Sequence, residues 1–124
     1  MLITTIPQYV QGLKNVKLVA ITDATADGAI LYTAPSAADF NASVITSILV
    51  SEYSGNADTI TVTVTDSTAT FSLFKVKAVA ANTTIELLTK DLILQSGDVI
   101  RASAATASRL HVVASIQELI KQRI

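Results

Sequence analysis

The sequence predicts an all-β protein: a single β-sandwich, jelly-roll-like, of about eight antiparallel strands with an extended N-terminal arm. Isoleucine, valine and threonine make up 41 of the 124 residues, and these β-branched side chains fit a pleated, half-buried surface. Turn-forming residues recur about every 8–12 residues, a spacing typical of sandwiches and barrels. Helical periodicity is nowhere sustained enough to predict a long helix.

Strand alternation is clearest in residues 59–65, where threonine alternates with aliphatic residues without exception. Ile60, Val62 and Val64 therefore share one face, and the threonines occupy the other. Further β-rich stretches predict the remaining strands at 16–22, 29–33, 43–53, 70–80, 84–89, 99–104 and 109–117. This number of strands is enough for two packed sheets.

Polar and glycine-containing segments predict the turns between these strands. Residues 54–58 are predicted to close a hairpin between the strands that flank them, and residues 66–69 a second hairpin. Residues 23–28 are predicted to join the first two strands as a pair. Residues 34–41 are predicted to hold at most one short helical turn, which Ser36 can cap.

The strand at 70–80 carries two further signals. Its apolar side chains change from odd to even positions between Leu73 and Phe74, and this change of parity predicts a β-bulge. Lys75 and Lys77 share one face of the same strand, which is typical of a solvated face or a protected sheet edge. We therefore expect a bulged strand whose lysines face solvent.

The chain is long enough for one domain. We divide it into an N-terminal arm or strap (1–15), a β-sandwich (16–118) and a C-terminal tail (119–124). The arm either packs on its own domain as a first strand or docks on a neighbouring subunit by β-augmentation. The tail forms either a short amphipathic helix or the end of the last strand. The protein-contact residues that we predict in the arm are Leu2, Ile3, Ile6, Tyr9 and Val10.

Composition excludes several classes of protein. Half of the residues are hydrophobic and 15% are charged, which excludes an intrinsically disordered chain. A net charge of −1 gives no basis for binding nucleic acid, and the absence of cysteine excludes disulfides and thiolate chemistry. Because no apolar stretch reaches the roughly 20 residues of a membrane helix and no secretion signal is visible, we expect cytoplasmic synthesis and no membrane partner.

Patterns for catalysis and metal binding are weak. His111 is the only histidine, and without cysteine it does not supply the usual transition-metal cluster. We interpret His111 as structural, because a Ser–His–Asp triad would need it as the base and no Gly-x-Ser-x-Gly elbow is present. Residues 23–28 resemble a calcium loop but lack its middle ligand and terminal glutamate. We predict no catalytic residue, no metal site and no cofactor.

A sugar-binding site remains an alternative. Such sites usually present exposed aromatic platforms, and the chain has no tryptophan. Tyr32 and Tyr53 are the candidates for a glycan- or receptor-binding module. We interpret Phe40, Phe71 and Phe74 as core residues instead.

Several stretches of the chain follow one another in an order that is similar to a known class. They are an extended segment at 31–35, a second β-rich strand at 44–50, and a Thr/Val strand at 59–66 that follows a Ser-Gly turn. An Asn-Thr-Thr turn with its strand follows at 80–88, and a Leu-Ile-Leu-Gln-Ser-Gly-Asp-Val-Ile turn at 92–100. This order, over residues 31–116, resembles small β-sandwich virion structural proteins of tailed bacteriophages.

The resemblance implies a non-enzymatic protein of the virion. Its leading form is a capsid decoration or cement protein, which would stabilise the head by bridging capsomers; a neck, tail or baseplate component is the alternative. The implied partners are the major capsid protein or other virion proteins, and further copies of the chain in a trimer or another ring. A threonine-rich face suits such contacts, because covering it requires little desolvation of ions.

Overall fold

The computed structural model describes residues 9–19, 29–36, 38 and 40–121, and this part of the chain contains nine β-strands and no helix. In chain order the strands are β1 (Tyr9–Val19), β2 (Ala29–Thr33), β3 (Phe40–Glu52), β4 (Asp58–Thr65), β5 (Thr70–Val79), β6 (Thr84–Glu86), β7 (Leu92–Leu94), β8 (Val99–Ala104) and β9 (Leu110–Lys121). The predicted all-β fold is confirmed.

The strands form two antiparallel sheets that pack face to face. Sheet A has the order β1-β9-β3-β6, with β7 also paired to β3, and sheet B has the order β2-β8-β4-β5. Each fully buried aliphatic side chain stabilises the fold by about 1.5–3 kcal/mol relative to exposure. The largest fully buried side chains come from both sheets: Ile45, Ile48, Ile60, Leu94, Ile100, Leu110 and Ile116. The predicted β-sandwich is therefore confirmed.

The strand order follows from one long ribbon that folds double at residues 66–69. Across this turn β4 pairs with β5, and moving outward β3 pairs with β6, β2 with β8 and β1 with β9. Successive pairs belong to alternate sheets, so the ribbon wraps around the core. This is the jelly-roll arrangement that the sequence predicted.

Asp66 fixes the turn at the centre of this ribbon. Its carboxylate accepts hydrogen bonds from the backbone N–H groups of Thr68 at 2.7 Å and Ala69 at 2.8 Å. The Thr68 hydroxyl donates a third at 2.9 Å. These bonds, that of the Thr68 amide first, lower the pKa of Asp66. The hairpin predicted at 66–69 is confirmed, and its mechanism is an aspartate-stabilised turn.

Two predicted pairings are wrong. Residues 54–58 do not close a hairpin, because β3 lies in sheet A and β4 in sheet B. The first two strands do not pair either, since β1 lies in sheet A and β2 in sheet B; the segment 23–28 between them is outside the described residues. A short polar segment can join paired strands or connect two facing sheets, so its composition does not reveal which strands pair.

The bounds of several elements also differ from the prediction. β1 is continuous across position 15, the predicted boundary between arm and sandwich, and residues 119–121 belong to β9. The strand expected at 84–89 ends at Glu86, and β7 was not predicted. In the segment 34–41, residues 34–36 have no regular structure and β3 already begins at Phe40.

The bulge predicted in β5 is confirmed. Val62 pairs with Phe74 and Thr63 pairs with Ser72, which leaves Leu73 as an extra residue. The extra residue changes the strand's parity, as the sequence pattern indicated.

A second irregularity follows three residues later, at Val76. Val76 has a φ of 54°, a left-handed conformation that β-branched residues rarely adopt. Its amide donates to Thr61 Oγ1 at 3.0 Å, so a β4 side chain satisfies the group that the bulge removes from the ladder. Lys75 and Lys77 on either side are exposed, and β5 is an edge strand. Charge and irregularity together protect that edge.

Candidate functional site

The predicted contact residues belong to the start of the chain. Leu2, Ile3 and Ile6 lie outside the described residues. Tyr9 and Val10 are the first two residues of β1, which forms one edge of sheet A. The arm therefore leads into a strand at the edge of the sandwich, and the contact role of its residues stays a prediction.

The outer face of sheet B is a threonine surface. On β4, Thr59, Thr61, Thr63 and Thr65 alternate with core-facing residues, so they lie on the face turned away from the core. The hydroxyls of Thr65 and Thr70 lie 3.0 Å apart across the β4–β5 pair. Among the described residues, the buried Thr63 hydroxyl has no hydrogen-bond partner. Thr63 is buried opposite Arg101 of β8, so β4 offers a partner only the partly exposed, uncharged Thr59, Thr61 and Thr65.

The outer face of sheet A combines aliphatic and small polar side chains. Leu49 on β3 is exposed and lies opposite Val113 on β9. Beside this pair, Ser47 lies opposite Ser115, and the Thr46 hydroxyl donates to the Ser115 carbonyl at 3.2 Å. The register positions on either side of the Leu49–Val113 pair are charged, with Lys17 of β1 opposite Val113 and Glu86 of β6 opposite Leu49, so the uncharged part of this face is confined to β9 and β3.

Glu86 on β6 is the carboxylate beside this face, and it is held by local donors. The Ser47 hydroxyl donates to it, as do the backbone amides of Ile48 at 2.7 Å and Leu88 at 3.2 Å. Burial raises the pKa of Glu86, but these hydrogen bonds, that of Ser47 first, outweigh burial and lower it. The anion therefore serves to fix the start of the β6–β7 connection.

His111 lies in a stacked aromatic pair. Its ring centroid is 3.9 Å from that of Tyr53, with 20° between the ring planes. The Tyr53 amide donates to the Arg109 carbonyl at 3.0 Å, which ties the residue after β3 to the start of β9. The geometry gives His111 a packing role at this end of sheet A.

Tyr32 does not fit the sugar-binding alternative, because it is buried in the core. Its hydroxyl donates to the Glu118 carboxylate and lies 2.7 Å from Ser43 Oγ. Burial, followed by the bond to Glu118, raises the pKa of Tyr32 to about 12. Since Tyr32 belongs to sheet B and its two partners to sheet A, this cluster links the two layers. Of the two candidate platforms, Tyr53 is exposed and Tyr32 is not.

The three phenylalanines differ in burial. Phe40 and Phe74 are partly buried and pack against the core, in agreement with the prediction. Phe71 is 53% exposed, so its assignment to the core is wrong. It lies on the edge strand β5, where no further strand of the described residues covers it.

Glu52 organises the loops at one end of the sandwich. The side chain is only 2% exposed, and its carboxylate accepts backbone N–H bonds from Ser54, Gly55 and Asn82 at 2.9–3.0 Å. The Ser54 hydroxyl donates as well. Burial raises the pKa of Glu52, but these bonds outweigh burial and lower it to about 2. One carboxylate therefore holds both the β3–β4 and the β5–β6 connections.

An apolar cavity of about 260 Å³ opens between the edges of the two sheets. Its lining comes from β5 on one side and from the segment between β6 and β7 on the other: Leu73, Phe74, Leu87, Leu88, Thr89, Lys90, Asp91 and Leu92. The bulge at Leu73 turns two consecutive large apolar residues towards this space. The parity change in the sequence indicated the bulge, but not the cavity beside it.

A second groove of about 520 Å³ lies at the β4 start, lined in part by Asp58, Thr106 and Arg109. The Asp58 carboxylate accepts the Thr106 amide at 3.1 Å, and the Arg109 guanidinium donates to the Ala57 carbonyl at 3.2 Å. Both charged groups are thus engaged in holding the loops around the groove.

Within the part of the chain that the structure describes, no three His, Asp or Glu side chains come together as a metal site would require. The same residues include no helix that is long and apolar enough to span a membrane. The candidate calcium loop at 23–28 is outside this part of the chain.

Comparison with protein-family models gives no match, and comparison with curated protein sequences gives none either. Among solved structures, the chain is similar to a chain in the structure of infectious bursal disease virus, Gx strain, with a TM-score of 0.54 and 13% sequence identity. The similarity covers 93% of this chain and 32% of the viral one, so the chain spans about a third of the length of that protein. At this level of identity the two chains share a fold.

Proposed function

We propose that the chain is a structural protein of a virus particle, and that it acts by adhesion and not by catalysis. The observation that carries the proposal is the jelly-roll sandwich, which nearly the whole chain shares with a chain from a virus structure. Jelly rolls also occur in lectins and other proteins, and a fold does not by itself define a function. The surfaces therefore supply the second part of the argument.

Both outer faces suit contacts between protein subunits. The partly exposed threonines of β4 in sheet B, and the strip of β3 and β9 around Leu49 and Val113 in sheet A, offer polar and aliphatic groups without charge, so covering these strips requires little desolvation of ions. The carboxylates of Glu52 and Glu86 are occupied by donors of their own chain. These are the properties of a building block whose faces are covered in an assembly.

Within this class, we propose a capsid decoration or cement protein of a tailed bacteriophage, bound to the major capsid protein and assembled as a trimer or another ring. The support for this finer assignment is the order of motifs over residues 31–116. A neck, tail or baseplate component is the second candidate, because the same sandwich could serve there. The arm residues Leu2, Ile3, Ile6, Tyr9 and Val10 are the proposed contacts.

The copy number in purified particles tests this proposal. We expect mass spectrometry of virions from the genome that encodes the chain to detect it at a level comparable to the major capsid protein. A much lower copy number, with label at one vertex or on the tail, would favour the second candidate. Absence from washed particles would contradict both.

Deletion of residues 1–8 tests the arm separately, because it leaves β1 intact. We expect the shortened chain to fold, as judged by circular dichroism, and to rebind poorly to particles from which the native protein has been removed. An exposed substitution in the central turn, Ser67→Ala, is the control and should rebind normally. Undiminished rebinding of the shortened chain would remove the arm from the proposal.

A further inference from the structure

The apolar cavity between the sheet edges is the feature that the proposed function leaves unexplained. Leu73 and Phe74 line one side, while Leu87, Leu88 and Leu92 line the other. Leu73, Phe74, Leu88 and Leu92 are only partly buried, so apolar surface remains in contact with water. A volume of roughly 150 Å³ already admits a benzene-sized group, and this cavity measures about 260 Å³. It has room for more than one aliphatic side chain.

The first eight residues of the chain have the chemistry that fits this cavity. They are Met-Leu-Ile-Thr-Thr-Ile-Pro-Gln and contain no charged side chain. Leu2, Ile3 and Ile6 supply branched aliphatic groups, and each one buried contributes about 1.5–3 kcal/mol relative to exposure. At the rim, Lys90 and Asp91 are exposed and can keep their charges in water while an apolar segment fills the interior.

The strand that the arm leads into and the cavity lie at opposite edges of sheet A. Sheet A begins with β1 at one edge and ends with β6 and β7 at the other, with β9 and β3 between them. The arm precedes β1, whereas the cavity lies at the opposite edge. Two copies that meet edge to edge bring the arm of one beside the cavity of the next. Eight extended residues reach at most ~26–29 Å, whereas the three strand spacings across sheet A amount to ~14 Å, so the chain's own cavity is the competing acceptor that the experiment must exclude.

We propose that residues 1–8 of one copy insert into the cavity formed by Leu73, Phe74, Leu87, Leu88 and Leu92 of the next copy. This inference rests on the proposed function only in its use of the arm. Because the donor and acceptor surfaces differ, the contact is head-to-tail, and repetition of such a contact closes into a ring when the rotation permits. This contact would be the interface between neighbouring copies in the ring proposed above.

Disulfide trapping tests the insertion cleanly, because the chain has no cysteine of its own. Ile3→Cys places a thiol in the arm, and Thr89→Cys places one at the exposed rim of the cavity. The two single variants are co-expressed, so that a bond between them can form only between copies. The control is Ile3→Cys with Thr106→Cys, which moves the second thiol to the other groove.

On addition of a mild oxidant, we expect mass spectrometry of the linked species to find the peptide of position 3 joined to that of position 89, and at least about tenfold less joining of position 3 to position 106 in the control pair. Equal yields in the two pairs, or no linked species, would overturn the proposal. The double variant Ile3→Cys/Thr89→Cys in one chain tests whether the arm binds the cavity of its own chain. If it forms only an internal bond, the arm occupies its own cavity and the proposal is wrong.

A second variant measures assembly without any cross-link. Leu88→Asp places a carboxylate in the partly buried lining, and we expect it to lower the solution mass towards that of one chain, with an unchanged circular dichroism spectrum. Thr106→Asp is the control and should keep the native mass. An unaltered mass for Leu88→Asp would contradict the proposal. These outcomes do not depend on the copy number in virions. The proposed contact between copies and the proposed virion role can therefore be contradicted independently.

Discussion

Glu52 and Glu118 are both buried glutamates of sheet A, but they bind different kinds of partner at opposite ends of the sandwich. Glu52 lies opposite Leu110, and Glu118 lies opposite Ser43 at the other end of the same β3–β9 ladder. Between them the core-facing positions are aliphatic, as at Ile45 and Ile116. The apolar core of this sheet thus ends in a carboxylate on each side.

The partners of the two carboxylates explain the difference. Glu52 receives backbone amides from two loops, and its pKa falls to about 2. Glu118 faces the hydroxyl of Tyr32 from the other sheet. Backbone donors cannot leave the loop that carries them, so Glu52 fixes loop conformation, whereas Glu118 holds two layers together. A buried charge needs such partners, because an unpaired one is costly.

Glu52→Ala should give the largest effect of three substitutions that probe this comparison. It leaves the part-buried amides of Ser54, Gly55 and Asn82 without their charged acceptor, and the loss of hydrogen bonds to a charged group is destabilising. We expect a marked fall in melting temperature and faster amide hydrogen exchange confined to 53–56 and 80–83. Asp66→Ala, which removes a more exposed turn carboxylate, should lower the melting temperature less. Exchange that rises uniformly over both sheets would contradict a local loop role.

An acid titration is the matching control for Glu52. A carboxyl whose pKa falls from 4.5 to about 2 on folding stabilises the protein fully above about pH 4.5, and this stabilisation is lost as pH falls towards 2. The difference in urea midpoint between the native chain and Glu52→Gln should therefore shrink between these values. A constant difference would show that the charge is not what matters.

Tyr32→Phe should have a smaller effect, because it removes one hydroxyl and keeps the ring. Loss of its bonds to Glu118 and Ser43 should lower the free energy of unfolding by about 1–3 kcal/mol. A tyrosine pKa raised from 10.0 to about 12 stabilises the fold below pH 10 and loses this contribution as pH rises towards 12. Urea denaturation from pH 8 to 11 should show that alkaline loss in the native chain and less of it in Tyr32→Phe. Equal losses would contradict the assignment.

His111→Ala should have the smallest effect of the three. The stacked ring of Tyr53 is exposed, and an aromatic pair of this kind contributes about 0.5–1.5 kcal/mol. The pair lies beside Glu52 on the outer side of the sheet. The substitution therefore tests whether this end of the sandwich is stabilised mainly by the buried carboxylate or by the outer aromatic pair. A loss of melting temperature as large as that of Glu52→Ala would reverse our ranking.

Local patterns in the sequence were sufficient for elements whose causes are local. The alternation at 59–65 predicted which side of β4 is buried, and the parity change at Leu73 predicted the bulge. Asp66 predicted a real hairpin because an aspartate turn carries its own hydrogen bonds. In each case the residues that determine the structure are neighbours in the chain.

The pairing of strands was not predictable in the same way. Residues 54–58 have the composition of a hairpin turn, but Glu52 draws that loop towards Asn82, 30 positions further along. Tyr32 is a candidate for the sugar-binding alternative on sequence alone, because nothing near it in sequence indicates its bond to Glu118, 86 positions away. The cavity likewise joins β5 to the β6–β7 segment. These features depend on the wrapping of the whole ribbon.

The irregular edge strand β5 has a consequence for the behaviour of the protein at high concentration. A straight, uncharged edge strand is a template onto which further chains can add and grow into fibres. The pairing of β4 with β5 is interrupted twice, at Leu73 and at the left-handed Val76. Together with Lys75 and Lys77, these interruptions remove that template along one edge of sheet B. Concentrated copies can then accumulate in solution without seeding fibrous growth from this side.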